Sequence, residues 1–172
     1  MKTLKYLLAV VMFTSCGTIV NYDYEKSTDF NQYKSYNYFD DMKTGLSELD
    51  TKRLIRAIDV KLEAMGLMQS ENPDFYIDIQ SRDIQKRNNS NVGVGVGGTG
   101  RNVGGGISVG LPIGGNQNAR ELVIEFVNDT KGGMFWQAVS ESNYSPNASP
   151  EKREVKFKAL VEKIFSAYPP NK

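Results

Sequence analysis

The sequence predicts an α+β domain: an antiparallel sheet of about five to seven strands, two helices packed on one of its faces, and an inserted glycine-rich hairpin or loop. Three observations carry this. Two apolar runs flank the turn formers of 128–133, the pattern of a β-hairpin. Two other segments repeat apolar residues at helical spacing behind recognisable caps. The remaining apolar stretches alternate with a period of two, as strands do. In chain order this gives β-β-α-β, the glycine-rich stretch, then β-β-α.

The chain is organised around the hairpin of 119–142. In its first run Leu122, Ile124 and Phe126 share a face, while Val123 and Val127 add apolar groups to the other, so this strand belongs well inside the sheet. In its second run Met134, Trp136 and Ala138 alternate with Phe135, Gln137 and Val139. Trp136, the only tryptophan, is expected to pack under a helix on the face it shares with Met134 and Ala138.

At the start of the chain, Lys2 and Lys5 precede an apolar core from Leu7 to Phe13, followed by Thr14 and Ser15. This is an export signal, and the apolar run is too short to remain as a membrane span. The small pair before Cys16 resembles a bacterial lipobox, with Phe13 where Leu or Val is more usual. That resemblance implies removal of residues 1–15, a diacylglycerol on the Cys16 sulfur and an acylated amino terminus. A plain secretory signal would leave the placing of the only thiol at the cleavage point unexplained. Gly17 follows Cys16, with no aspartate and no acidic cluster after it. By the general sorting rule this implies the outer membrane, on its periplasmic face. Val20, Tyr22 and Tyr24 already alternate, so the tether is residues 16–19, on the order of 13 Å when extended. A single domain then spans 20–172.

Tyr36 and Tyr38 suggest a second strand. Seven aromatic residues lie between Tyr22 and Phe39. They read as sheet core and cross-strand pairs before they read as a platform for sugar rings. Ser47 and Asp50 have capping-box spacing; Leu54, Ile58, Leu62 and Met65 form a helical stripe, and Gly66 supplies a left-handed cap, giving a helix of roughly 48–65. Phe75, Ile77 and Ile79 alternate as a strand to Asp83. Ser149, Pro150 and Glu151 then start a second helix, with Phe157, Leu160, Val161, Ile164 and Tyr168 as its apolar stripe and Pro169–Pro170 as its end.

The stretch 88–118 stands apart, with eleven glycines between Gly93 and Gly115. Alternation in 92–97 and 107–114 fits a hairpin; the composition fits a low-complexity loop equally well. Gly95, Gly97 and Gly100 match a dinucleotide fingerprint by letters, yet no helix follows and the setting is extracytoplasmic.

Composition excludes several classes. There is no histidine and one cysteine, which removes intrachain disulfides, histidine metal sites and histidine-based triads. Without Lys2 and Lys5 the balance is 19 basic against 20 acidic groups, a net of −1, so no nucleic-acid partner is expected. No catalytic, metal or cofactor-binding residue is assigned, and no cofactor is expected. Asp129, Thr130 and Lys131 can be drawn as a polar site, but turn chemistry accounts for them. Glu125, inside a strong strand, either faces solvent or is paired.

Taken in order, Asp29–Phe30 with Tyr33–Lys34–Ser35–Tyr36, the helix end at Ala57–Ile58, Leu62 and Gly66, Pro73–Asp74–Phe75, Leu122–Val123–Ile124, Asp129–Thr130, Trp136 and Tyr168–Pro169–Pro170 resemble the bacterial lipoproteins of the domain-of-unknown-function family DUF4136. The resemblance implies a small α+β envelope lipoprotein and brings no catalytic residue. The expected role is that of a binding or structural component, not an enzyme. Its partners would be the membrane, through the lipid on Cys16, and an envelope protein or a second copy paired at a sheet edge. The alternative is an envelope hydrolase that uses carboxylate or hydroxyl groups.

Overall fold

The computed structural model describes residues 18–86, 117–128 and 133–170. In chain order the elements are β1 (Ile19–Tyr24), a 3-10 turn (Phe30–Gln32), β2 (Ser35–Tyr38), α1 (Glu48–Ala64), β3 (Met68–Gln69), β4 (Phe75–Lys86), β5 (Gln117–Asn128), β6 (Gly133–Asn143), α2 (Pro150–Ile164) and a 3-10 turn (Phe165–Ala167). The strands form one sheet in the order β1-β6-β5-β4-β2-β3. Cys16, the predicted tether up to Gly17, most of the glycine-rich stretch (87–116) and the turn residues Asp129, Thr130 and Lys131 lie outside the described residues.

The sheet is mixed, which corrects the expectation of an antiparallel one. β4, β5, β6 and β1 pair antiparallel, but β2 runs parallel to both β3 and β4. The cause is the connection. β2 is followed by α1, and a strand that returns through a helix lands parallel to its predecessor. Only the directly joined strands could be read as hairpins. The two-residue β3 carries no periodicity and went unseen.

Both helices start and stop where their caps dictate. The Ser47 side chain accepts the Asp50 N–H and that of Ser149 accepts the Lys152 N–H. At the end of α1, Gly66 has φ +85°, its N–H bonds to the Glu63 carbonyl, and the Leu67 N–H reaches back to Leu62. This is the Schellman arrangement, and the positive φ favours glycine. Lys61 and Glu162 pair near the helix C-termini, while Asp50 and Arg153 pair near the N-termini, so α1 and α2 run parallel.

One core lies between the sheet and the helices. Ile77 and Ile79 of β4, Leu122, Ile124 and Phe126 of β5, and Trp136 and Ala138 of β6 meet Leu54, Ile58 and Leu62 of α1 and Leu160, Val161 and Ile164 of α2. The aromatics near the start of the chain belong to it: Tyr36 is fully buried, Tyr33 stacks on Phe135 at 4.2 Å, and Phe30 packs edge-on against Tyr168. Trp136 is fully buried and stacks on Phe165 beyond α2, as its alternation predicts. Met134 does not share its face. The register slips between Phe126 and Val127, so Val127 faces Met134 while Phe126 faces Trp136. The extra residue, Phe135, turns inward beside Trp136, and Met134 is left 48% exposed. A β-bulge of this kind reverses the alternation on one side of it.

Several of the residues behind the family resemblance act as joints. The Asp74 carboxylate accepts the N–H groups of Lys34 and Ser35 and the Ser35 hydroxyl at 2.8–3.0 Å, and Asn128 donates to the Asp74 carbonyl at 2.8 Å. Asp74 thereby fixes the start of β2 against the entry to β4.

Candidate functional site

Polar chemistry gathers in three places among the described residues. The first is a cleft at the N-terminal ends of α1 and α2, with free space of about 60 Å³ over the apolar side chains of Leu46, Leu122, Phe157 and Leu160. Beside it Asp50 is 2% exposed and bound on both sides, by Arg53 at 2.8 Å and by Arg153. Arg153 also donates to the carbonyls of Ala148 at 3.0 Å and Pro146 at 2.6 Å. Arg120 closes the other side, paired with Asp83 at 2.7 Å and lying over the Tyr144 ring at 3.6 Å. Capping-box spacing marked Asp50 as a residue of the helix start, but its carboxylate turns to the two arginines. Each of these side chains already has a partner within the fold, three arginines on two carboxylates, so the geometry is that of a clamp joining α1 to the loop before α2.

The second is the sheet face opposite the helices, whose order follows from register. Asp23, Gln137, Glu125 and Asp78 lie in one row across β1, β6, β5 and β4; Glu141, Glu121 and Arg82 lie in another. Between these rows runs a third, Asn21, Val139, Val123 and Gln80, in which Val123 faces Val139. Glu125 and Asp78 are therefore directly opposed like charges, as are Glu121 and Glu141, an arrangement that disfavours pairing unless it is compensated. Gln137 donates to Glu125 at 2.7 Å, Gln80 to Asp78 at 2.8 Å, and Arg82 grips Glu121 through two bonds of 2.6 and 3.1 Å. Glu125, left open between exposure and pairing by the sequence, is partly exposed and hydrogen-bonded. Among the described residues no group of three or more His, Cys, Asp or Glu side chains is arranged to hold a metal ion.

A third polar cluster ties β2 to α1. The hydroxyls of Tyr36 and Tyr38 both donate to Oδ1 of Asp59, at 2.9 and 2.7 Å. Burial first, and the Asp59 carboxylate second, hold both phenols far above the ordinary tyrosine range. Below about pH 10 the folded and unfolded chains both keep these protons. Above it the unfolded chain loses them and the folded one does not, so the unfolded state binds fewer protons and stability falls as pH rises. Each phenol contributes up to about 1.4 kcal/mol per pH unit in that window. Alkaline titration of phenolate absorbance is expected to show a late fraction that appears only with unfolding, and Tyr38→Phe is expected to shrink it.

An open mixed sheet, backed on one side by two parallel helices and on the other carrying, among the described residues, only the segment 39–43 beside β4, defines an α+β class with its polar groups spent on joints and on one largely open face. Over residues 20–170 the chain matches the family described as Domain of unknown function (DUF4136), and it belongs to that family. No curated protein matches it. Among solved structures the fold is similar to a PDZ domain protein from Parabacteroides distasonis ATCC 8503, at 13% identity and a TM-score of 0.58, over 90% of this chain and 37% of that one. The chain thus spans little more than a third of that protein's length. The fold is also similar to a PelC dodecamer from Paraburkholderia phytofirmans, at 9% identity and a TM-score of 0.52, over 90% of this chain and 99% of that one. A PelC variant in another crystal form gives 10% identity and a TM-score of 0.50, over 87% and 95%. At these identities the likeness is one of fold.

Proposed function

We propose that the protein is a cell-envelope lipoprotein, held by a lipid on Cys16 to the periplasmic face of the outer membrane, and that it acts there as a binding or structural component. In this reading residues 1–15 are a signal removed on export, and residues 20–172 form the anchored domain. The position of β1 carries the proposal. β1 begins at Ile19, three residues after Cys16, and is the outermost strand on its side of the sheet. Tyr22 fastens it to the core by donating to the Lys163 carbonyl at 3.0 Å, so an anchor at Cys16 would be joined to a fixed element.

The same strand offers a means of binding. Glu25 donates its N–H to the Phe135 carbonyl, which aligns the backbones of Asp23 and Asn21 with β6 and turns those of Val20 and Tyr22 away from it. Outward-facing backbone groups at a sheet edge can take a partner strand, from another envelope protein or from a second copy. Among the described residues no helix is long and apolar enough to cross a membrane.

Cys16→Ser is expected to move the protein from the membrane pellet to the soluble or uncleaved fraction, and cross-linking in intact envelopes is expected to give a defined adduct. An unchanged distribution would overturn the anchor. Turnover of a peptidoglycan, glycan or ester substrate, abolished by Glu125→Gln, would replace the binding role with that of an envelope hydrolase.

A further inference from the structure

We infer that copies of this chain associate face to back, the outer sheet face of one against the α1–α2 groove of the next. The observation is a segregation of charge across the slab. The sheet face presents Asp23, Asp78, Glu121, Glu125 and Glu141 against Arg82, an excess of four negative charges, and Asp41 and Lys43 beside it cancel each other. The groove on the opposite side presents Arg53, Arg56, Lys61 and Lys158 against Glu154 and Glu162, an excess of two positive charges. A mature chain with a net charge of only −1 has therefore divided its charge between two opposite faces.

The acidic rows set carboxylates side by side across the strands, where Gln137, Gln80 and Arg82 bond to Glu125, Asp78 and Glu121 and leave the face a net negative charge. A cationic surface laid over them would match that net charge, and the back of the same molecule supplies one. Apolar groups match as well. The Val123–Val139 row lies between the acidic rows, and Val60, on the groove, is 63% exposed. Because the two surfaces are different and lie on opposite sides, the contact is heterologous and repeats, giving a ring or a filament. A patch four strands wide spans only about 20 Å, so the contact is weak and strongly dependent on salt. This contact is separate from the β1 edge and does not require the lipid.

The test uses the Cys16→Ser chain, in which introduced cysteines are the only thiols. One version carries Val123→Cys on the sheet face, the other Val60→Cys on the groove. Mixed at low salt with oxidised glutathione, they are expected to form the mixed disulfide in preference to either like pair. Molar salt is expected to reduce its yield about tenfold or more, as is adding Asp78→Asn and Glu125→Gln to the Val123→Cys chain. These conservative changes keep the shape of the strands, and circular dichroism checks that the fold is retained. Equal yields of mixed and like pairs, a dominant Val123→Cys self-pair, or a yield indifferent to salt would overturn the inference. So would a sedimentation coefficient of the Cys16→Ser chain that stays monomeric at low salt. The lipid is absent throughout, so failure here leaves the anchor proposal standing.

Discussion

Trp136→Ala is expected to destabilise the protein by about 3–5 kcal/mol, the usual cost of deleting a fully buried large aromatic side chain. Against a total of about 5–15 kcal/mol this leaves a marginal or unfolded chain. The indole stacks on Phe165 at 5.6 Å and meets Phe126 at 4.7 Å and Tyr168 at 5.2 Å, so its loss opens a hole where β5, β6 and the chain beyond α2 converge. Trp136→Phe is expected to cost much less. The indole Nε1 is buried without a hydrogen-bond partner among the described residues, and phenylalanine removes that unsatisfied donor while keeping an aromatic ring. As the only tryptophan, Trp136 also reports directly. Its emission in the native protein should be blue-shifted and resistant to acrylamide until denaturant unfolds the chain. A red-shifted, readily quenched signal together with near-normal stability of Trp136→Ala would contradict the core described above.

The second large effect is expected at Arg153. Arg153→Ala removes one of the two cations that hold the buried Asp50, and it frees the carbonyls of Pro146 and Ala148 as well. Removing one partner of a buried ion pair costs about 3–5 kcal/mol; because Arg53 remains on Asp50, the lower end is expected here. Arg53→Ala should cost less, since Arg153 binds both Asp50 and the loop. A double-mutant cycle between Asp50→Ala and Arg153→Ala is expected to show coupling of about 1–3 kcal/mol. Additive losses would mean that Arg153 acts only through the loop carbonyls.

What the sequence disclosed about the fold was local. The hairpin at 119–142, the caps Ser47 and Ser149, the left-handed Gly66 and the inward set of Leu122, Ile124 and Phe126 depend on neighbours a few residues apart, and each stands as read. The direction of β2 depends on where α1 delivers the chain, and a four-residue strand carries no sign of its partner. The bulge at Phe135 left no mark because Phe135 and Met134 are both apolar, and either residue could have been the one that turns inward. The clamp around Asp50 joins residues more than a hundred positions apart, so spacing marked a cap but not the pairing. The acidic rows of the outer face likewise need the register of four strands before Asp23, Glu125 and Asp78 fall into line. The residues with the sharpest functional expectation, Cys16 and the glycine-rich stretch, lie mostly outside the described residues.

On the proposed reading, this fold works at a membrane, held by its edge strand through Cys16. Mass spectrometry of the mature amino terminus, taken from the membrane fraction of cells that export the protein, tests it most directly. A lipid-anchored protein is expected to give a chain that begins at Cys16 and carries a diacylglyceryl group on sulfur and an acyl group on nitrogen. A chain with an unmodified Cys16, recovered from the soluble fraction, would contradict it.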